Sequence, residues 1–595
     1  MKKSIYILCT FVALSLTLQS CFDLDEEVFS QVPASEYYKD EASVKNALAS
    51  IYHTGFMSYI EYFFYLQEFP GDQVSWRVWN GGLWGYDDAE KYVLSIHNWT
   101  PASAIIRKSW ETAWKTIGMC NVVLEDMENI APEAIGITEA AMNEYKAEAR
   151  TLRAWAYYNV YEVWGGAIPL YTSADVSEIP QSVDPDFNQG CKIVFDFLIN
   201  ELDECLEYLP TNKVERMNKA MNRVMKARLL FNAGVLINED RFTECAALCE
   251  SIIGGDFGTY SITDDHRNLF SVGNENCPEL IMGFANADGQ MNGGWMRNMP
   301  FLPYNIWDHL GGTYSGVSSW NCVTLTPSYD NTGNVLESGG TDNPICFLDA
   351  PYNDKLGAIY ERFDDRDVRK QKYVWDTNEN NYRGMFLMGL MTDKNGTPLK
   401  ADADRNGQDL VYVDQLGTFQ NKGRKLETVM SPRWGETNSG LRLMKYPMAP
   451  GVFDFRDAYE VEFRLSEVVF MLAECKMRAG ATTEAKRLID SVRKRYFSDS
   501  DWAQVENDPG PGFTAFDMDW LLSQWGLEFL CEGRRRRTDL RRHDKFTQGQ
   551  WWFFGRTSED GRLLPAQRDR KYEWYPLPES AIMVNPGLIQ NPLWK

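Results

Sequence analysis

Two stretches far apart in the chain share one outline: MKARLLFNAGVLINEDRFTECAALCESII at Met225–Ile253 and LSEVVFMLAECKMRAGATTEAKRLIDSVR at Leu465–Arg493. Each repeats apolar residues at three- and four-residue spacing and reaches a glycine, Gly234 or Gly480, where the first helix is expected to close. A short joint and a second amphipathic helix follow. Small residues, Ala227, Ala233 and Ala247 in one and Ala473 and Ala485 in the other, permit close helix packing. Such pairs bury their apolar faces by stacking on one another, which gives a continuous core. The same periodicity recurs over 41–54, 104–128, 139–164, 190–208, 219–254, 459–479, 483–497 and 518–533. Between 255 and 455 the composition turns to Gly, Asn, Asp, Pro and aromatics with short apolar runs, which predicts loops and small strands. The expected fold class is all-α, a frame of helical hairpins interrupted by a large irregular region.

The first residues read as an address. Lys2 and Lys3 precede an apolar run from Ile5 to Leu18, too short for a lasting membrane span and laid out as an export signal. Leu18, Gln19 and Ser20 then lead into Cys21, which resembles the lipobox of bacterial lipoproteins, whose cysteine thiol accepts a lipid thioether. Residues 1–20 are the expected signal peptide and 21–40 a lipidated tether. Acyl chains contribute about 0.8 kcal/mol per buried CH₂, so several chains on Cys21 would hold the body on a bilayer without embedding it. Asp23, Asp25, Glu26 and Glu27 make the tether acidic, similar to the signal that sends Bacteroidetes lipoproteins to the cell surface.

Loss of residues 1–20 would leave 575 of the 595 residues, enough for several domains or one large helical body. The formal charge of −24 becomes −26 once Lys2 and Lys3 leave, taking the acylated terminus as neutral, and such a charge repels phosphate backbones. Nucleic acid is thereby excluded as a partner. Of 12 cysteines, ten remain after Cys9 and Cys21, spread without the density of a disulfide scaffold. Cys245 and Cys249 share a helix face but are poorly placed to bridge each other. The 5 histidines form no HExxH motif and no close pair, so zinc has no sequence support.

Other chemistries find weaker support in the residues. All-helical glycoside hydrolases need two carboxylates across a sugar cleft, and ERFDDRDVRK (Glu361–Lys370) and TDDH (Thr263–His266) offer clustered acids. Arginines within the first set point instead to a neutralised structural cluster. DADRNGQDLVYV places Asp402, Asp404, Asn406 and Gly407 like the opening of a calcium loop, but Val413 stands where the bidentate glutamate belongs, so a turn is the better reading. Gly-rich pieces such as NGGLWG and LGGTYSG lack the lysine or the strand-to-helix setting of a phosphate loop. No cofactor is expected.

Several motifs together carry a family resemblance. EARTLRAWAYYNVYEVWGGAIPL (Glu148–Leu170) resembles the signature helix and turn of SusD/RagB outer-membrane nutrient-binding lipoproteins. VEFRLSEVVFMLAECKMRAG (Val461–Gly480), FLCEGRRRRTDLRR and the closing YPLPESAIMVNPGLIQNP (Tyr575–Pro592) are similar to later family segments. The chain departs from the pattern at SQWGLE (Ser523–Glu528) and in having five residues, Arg534–Thr538, between Gly533 and Asp539. In the signature helix Ala149, Leu152, Ala156 and Val160 form a stripe, Gly165 and Gly166 end it, and Glu148, Arg150 and Arg153 read as anchoring salt bridges. Arg535, Arg536 and Asp539 would tie the later helix end to the body.

The resemblance implies tetratricopeptide-like hairpins as the scaffold. It divides the chain into an N-terminal helical region (41–254), a loop-rich insert contributing to the ligand site (255–455) and a C-terminal region (456–595). It further implies an oligosaccharide ligand, with peptide as the alternative shown by RagB-like members, and a SusC-like TonB-dependent transporter over whose mouth the lipoprotein sits as a lid. Catalysis is not expected; contact with the membrane would be through the lipid alone. Two aromatic loop groups suit a sugar site: SWRVWNGGLWGYDD with Trp76, Trp79, Trp84 and Tyr86, and GGWMRNMPFLPYNIWDHLGGTY with Trp295, Tyr304, Trp307 and Tyr314. Trp79, Trp84, Trp295 and Trp307 are the expected platforms, with Asn80, Asp87, Asn305 and Asp308 accepting hydrogen bonds from hydroxyls, while Trp76 and Tyr304 are expected in the core.

Overall fold

The computed structural model describes residues 34–78, 90–175, 177, 179–286, 300–302, 306–310, 320–326, 357, 359–401, 407–412, 414, 435, 437, 439–448, 457–533, 535–557 and 563–595. Its longer helices are α1 (Glu41–Ser58), α2 (Ala104–Glu128), α3 (Glu139–Trp164), α4 (Phe187–Cys205), α5 (Lys219–Phe231), α6 (Phe242–Gly254), α7 (Leu465–Arg478), α8 (Thr482–Arg493) and α9 (Met518–Glu528), followed by the short α10 (Arg536–Arg542). Its short strands include β1 (Val74–Trp76), β2 (Leu280–Phe284), β3 (Val323–Leu325) and β4 (Glu460–Arg464). Strands among the described residues pair only in twos, so the fold is all-α with small ladders in its irregular part.

Side-chain caps set several helix starts. Asn218 accepts from the Met221 amide at α5, Thr138 from Ala141 at α3, and Asp517 from Trp520 at α9. Neighbours pack in chain order, α1 on α2, α2 on α3, α3 on α4, α5 on α6 and α7 on α8, and the two similar hairpins, Met225–Ile253 and Leu465–Arg493, meet through α6 and α7. Cys245, Cys249 and Ile252 of α6 and Ala485, Ile489 and Val492 of α8 are their buried stripes. The Cys245 and Cys249 sulfurs lie 3.9 Å apart, and all nine described cysteines are buried.

Three local expectations are corrected by the structure. The helix expected from 459 begins only at Leu465, because Glu460–Arg464 alternates with period two and pairs antiparallel with β2, Glu460 opposite Phe284 and Arg464 opposite Leu280. Gly234 does not close α5; the break is at Asn232, and the left-handed residue is Asn238 (φ 57°), a conformation asparagine tolerates. Gly480, by contrast, does follow α7 in the left-handed region (φ 82°). Finally, α3 carries more than an apolar stripe: from Ala147 to Trp164 only Arg150 is not fully buried, so this helix is the molecule's central rod. Gly166 lets it end against α4, since a Cβ there would lie 2.1 Å from the Phe187 carbonyl oxygen and 2.4 Å from the Cys191 amide.

Charged residues do much of the joining. Arg150 and Arg153 donate to Glu201 of α4, and Arg216 Nε donates to Glu148 at 3.0 Å. Arg536 pairs with Asp72 at 2.6 Å, Arg535 with Glu467 at 3.2 Å, and Asp539 with Arg542 at 2.8 Å, which supplies the partners for the arginine run after Gly533. Deepest is a cluster around Arg464, which sits at the junction of β4 and α7. Its guanidinium donates to Glu279 at 2.9 Å, Glu528 at 2.8 Å and Glu532 at 2.6 Å; Arg495 joins Glu279 and Glu528 at 2.5 and 2.7 Å, and Lys445 reaches Glu532 at 2.5 Å.

This interior can be tested by mutation and by acid. Replacing Arg464 with methionine strands three carboxylates without their shared cation, so chemical denaturation should show a loss of about 3–5 kcal/mol or no folded protein; a change within experimental error would remove the cluster from any structural role. The acid response rests first on the histidines. Burial depresses His97, His266, His309 and His543, assisted at His97 by Arg568 and at His266 by Arg495. Unfolded histidines bind protons below the ordinary value of 6.5 while the native ones bind them only at lower pH, so each should cost up to about 1.4 kcal/mol per pH unit as pH falls from 6.5 toward its own lowered value. Glu474, Glu528 and Glu532 are held low against their burial by neighbouring cations, so their contribution is whole above pH 4.5 and ebbs below it; Glu162 and Glu361, raised by burial, act with the opposite sign. Melting temperature should therefore be level above pH 7, fall from about 6.5 and steepen below 4.5; a flat profile to pH 5 would contradict the histidine assignment.

Candidate ligand-binding face

The described parts of the two aromatic groups, more than 200 residues apart, meet at one ladder. Strand β1 pairs antiparallel with β3, with Val74 opposite Leu325 and Trp76 opposite Val323. In this antiparallel pair the carboxyl end of β1 lies beside the amino end of β3. The second group is drawn in further by Pro300, whose carbonyl accepts from the Cys322 and Val323 amides at 2.8 Å, and by the Asn321 amide donating to Leu302 at 3.1 Å. A third segment arrives there too: the Gly435 amide donates to Val78 at 2.9 Å, and Leu325 donates to Leu441 at 3.0 Å.

Beneath this junction lies a polar knot. Asn321, itself left-handed (φ 51°), accepts at Oδ1 from Arg77 at 3.1 Å and from Arg442 Nη2 at 2.9 Å, while Arg77 also donates to the Asn321 carbonyl at 2.6 Å. Arg442 lies over the Tyr412 ring, 4.6 Å from its centre, and burial together with Arg77 holds it well below the ordinary guanidinium range. Around the knot stand rings: Trp76 is buried, Trp320 is half-buried 6.3 Å from it, and the Lys91 ammonium lies 4.9, 5.7 and 5.6 Å from the centres of Trp76, Trp320 and Tyr65. This ammonium packed among rings fixes the base from which 79–89 departs. The arrangement offers a rigid footing for aromatic loops, with donors and acceptors at its margin.

Of the residues expected to touch ligand, Asp308 is exposed on the short helix Ile306–Leu310, which also carries Trp307 in its backbone; the Trp307 side chain lies outside the described residues. His309 anchors that helix, its ring 2.7 Å from the Thr392 carbonyl oxygen. Trp79, Asn80, Trp84, Asp87, Trp295 and Asn305 lie outside the described residues, as do Tyr86, Tyr304, Tyr314, Cys21 and the turn residues Asp402, Asp404 and Asn406. Trp76 is in the core, as expected. Trp320, Lys91, Arg77, Asn321 and Arg442 were not legible as one site. Trp320 stands among serines just before an alternating stretch, which is a usable signal, but Asn321 is 244 residues from Arg77 and 121 from Arg442, and no local pattern joins them.

Most of the clustered carboxylates are occupied with pairing. Asp364 holds Arg366 and Asp367 holds Arg369, each at 2.7 Å, Lys370 reaches Asp365 at 2.7 Å, and Asp265 chelates Arg267. No group of three or more His, Cys, Asp or Glu suited to a metal ion occurs among the described residues. No described helix is long and apolar enough to cross a membrane.

Comparison with known proteins agrees with this architecture. Residues 278–594 match the family model described as SusD family, and 24–225 match one described as starch-binding associating with outer membrane. SusD-like protein P38 of Formosa agariphila is 28% identical over 99% of both chains, and the starch-binding protein SusD of Bacteroides thetaiotaomicron is 23% identical over 89% of this chain and 85% of its own. The solved structure of surface glycan-binding protein A from Bacteroides thetaiotaomicron superposes over 93% of this chain and 100% of its own with a TM-score of 0.60 at 16% identity, a likeness of fold. With one family model spanning more than half the chain and a relative aligned from end to end, this chain belongs to the SusD family.

Proposed function

We propose that this chain is a carbohydrate-capturing lipoprotein of the outer membrane: anchored through Cys21, exposed on the outside, and delivering an oligosaccharide to a SusC-like TonB-dependent transporter that it covers as a lid. The observation that carries the reading is the β1–β3 ladder, which brings Trp76 of one aromatic group beside Trp320 and holds the Pro300–Leu302 stretch of the other. A flat indole covers the apolar C–H face of a sugar ring, while Asn80, Asp87 and Asp308 accept from its hydroxyls. The starch-binding relative and the outer-membrane description of the matching family model support both cargo and location. Lipid anchoring adds a second, membrane-borne contact to the docking with the transporter, so two modest affinities act together. The protein binds and does not cleave, the clustered acids Asp265, Asp364, Asp365 and Asp367 being committed to arginine and lysine, and no cofactor enters the process.

Glycan and peptide arrays on the mature protein should give carbohydrate hits; peptide hits alone would replace the cargo with a peptide. Against the best glycan, alanine at Trp79, Trp84, Trp295 or Trp307 should weaken binding by about 1–3 kcal/mol with the melting temperature held, and calorimetry showing four unchanged affinities would remove this face from the reading. Cys21→Ser should shift the protein from the membrane fraction to the soluble one in detergent partitioning of cells; unaltered membrane association would mean another anchor.

A further inference from the structure

A cleft of about 490 Å³, lined by no ladder residue, lies between the turn carrying Asp264–Arg267, the Val368–Gln371 segment and the hairpin of Val374–Asp376 and Asn381–Arg383. Its floor is rigid. Arg495 is fixed there between Glu279 and Glu528, and Tyr382 is buried with its ring stacked 5.7 Å from Tyr373. The hairpin approaches closely because Gly384 (φ 69°) has no Cβ, which would lie 2.3 Å from the Gln371 carbonyl oxygen. Arg267 is spent on Asp265 at 2.9 Å and Glu379 at 3.0 Å.

The remaining polar groups face the cleft uncommitted. His266 is largely buried, packed edge-on to Tyr496 at 5.0 Å, and neither ring nitrogen hydrogen-bonds to a described residue; its closest carboxylate oxygen, on Asp265, is 4.0 Å away. Burial, with Arg495 and Arg369 near, lowers it to about 3, so the ring is neutral at physiological pH and offers one donor and one acceptor. The exposed Gln371 amide offers the same pair, and the Asp264 carboxylate is likewise free of partners among the described residues. Arg383 makes one pair, with Asp376 at 3.0 Å, and keeps further donors. Across the lining Asp264, Asp265 and Glu379 stand against Arg267, Arg383 and Arg495, so it carries no net formal charge. Groups that both donate and accept, with a volume of this size, match vicinal hydroxyls on one or two pyranose rings.

We propose that this cleft is a second carbohydrate subsite, holding a neutral mono- or disaccharide unit through His266, Gln371, Asp264 and Arg383. It rests on the reading of the cargo as saccharide but not on the ladder face, whose residues do not line it. The test uses mature protein with maltose, cellobiose and lactose, followed by calorimetry and by crystals soaked in each. A sugar ring in the cleft is expected for at least one. The double variant Asp264→Ala, Gln371→Ala should weaken that component about tenfold, and Gln371→Trp, which fills the cleft from an exposed position, should abolish it at unchanged melting temperature. Trp79→Ala and Trp84→Ala should leave it intact. Sugar bound only at the ladder face, with Gln371→Trp indistinguishable from wild type, overturns the subsite and leaves the proposed function standing. Glycylglycine occupying the cleft while all three disaccharides fail there overturns it in favour of a zwitterion site. Absence of any glycan binding, on arrays and in these assays, overturns both readings together.

Discussion

Arg464 is the point on which the body turns. A guanidinium this deep is tolerable only because three carboxylates meet it, and they come from separate parts of the chain: Glu279 before β2, and Glu528 and Glu532 at and beyond the end of α9. Arg495, beyond α8, and Lys445, in the irregular part, complete the charge balance. Desolvating so many ions gives little net stability compared with an apolar core of equal volume, but any other register leaves a bare charge in a dry interior. The cluster therefore acts as a lock on arrangement: β4 cannot slip along β2, nor can α9 rotate, without unpairing an ion.

That lock explains why the irregular part can carry loops at all. Its ladders are two strands wide and two such strands are marginal alone, so their stability is borrowed from the frame behind them. Gln73, beside β1, donates to the Gly526 carbonyl of α9 at 2.8 Å, and Thr326, just after β3, donates through its hydroxyl to Asp72 at 2.6 Å. Asp72 in turn holds Arg536 of α10. The footing of the aromatic segments is thus continuous with the helical core through three hydrogen-bonded steps, and the precision of the ladder is the precision of the helices.

The helical frame was readable because periodicity and capping are local. Helices α2 and α3 fall at the expected positions, α4 starts three residues earlier under the Asp186 cap, and the stacking of two similar hairpins followed from their shared outline. Charged residues were readable in kind but not in partner: Arg535 and Arg536 were expected to tie down the helix end, yet Glu467 and Asp72 as their mates are set by tertiary closure. Strand β4 was missed because its apolar positions merge into the helical pattern of α7, and pairing with a segment about 180 residues away decides the matter. At the candidate face, the loops could be chosen by composition, since indoles among glycines pack poorly in a core. The knot beneath them could not, because Asn321 acquires its meaning only when Arg77 and Arg442 arrive from either side.

The ends of the chain are sewn to each other: Tyr575 donates its hydroxyl to the Leu66 carbonyl at 2.7 Å, Trp164 its indole N–H to Pro576 at 2.9 Å, and Arg537 its guanidinium to the Glu162 carbonyl at 3.3 Å. The central rod α3 therefore finds neighbours among residues 537–576, far downstream in the chain. Contacts spanning some 400 to 500 positions carry a heavy loop-closure entropy and come late on any folding route. An emerging amino-terminal half would expose the aromatic flank of α3, with Trp155, Tyr158 and Trp164 wetted, until the carboxyl terminus arrives. The closing stitch of the fold is thus held in residues 537–576, and a chain that lacks them leaves its central rod open to water.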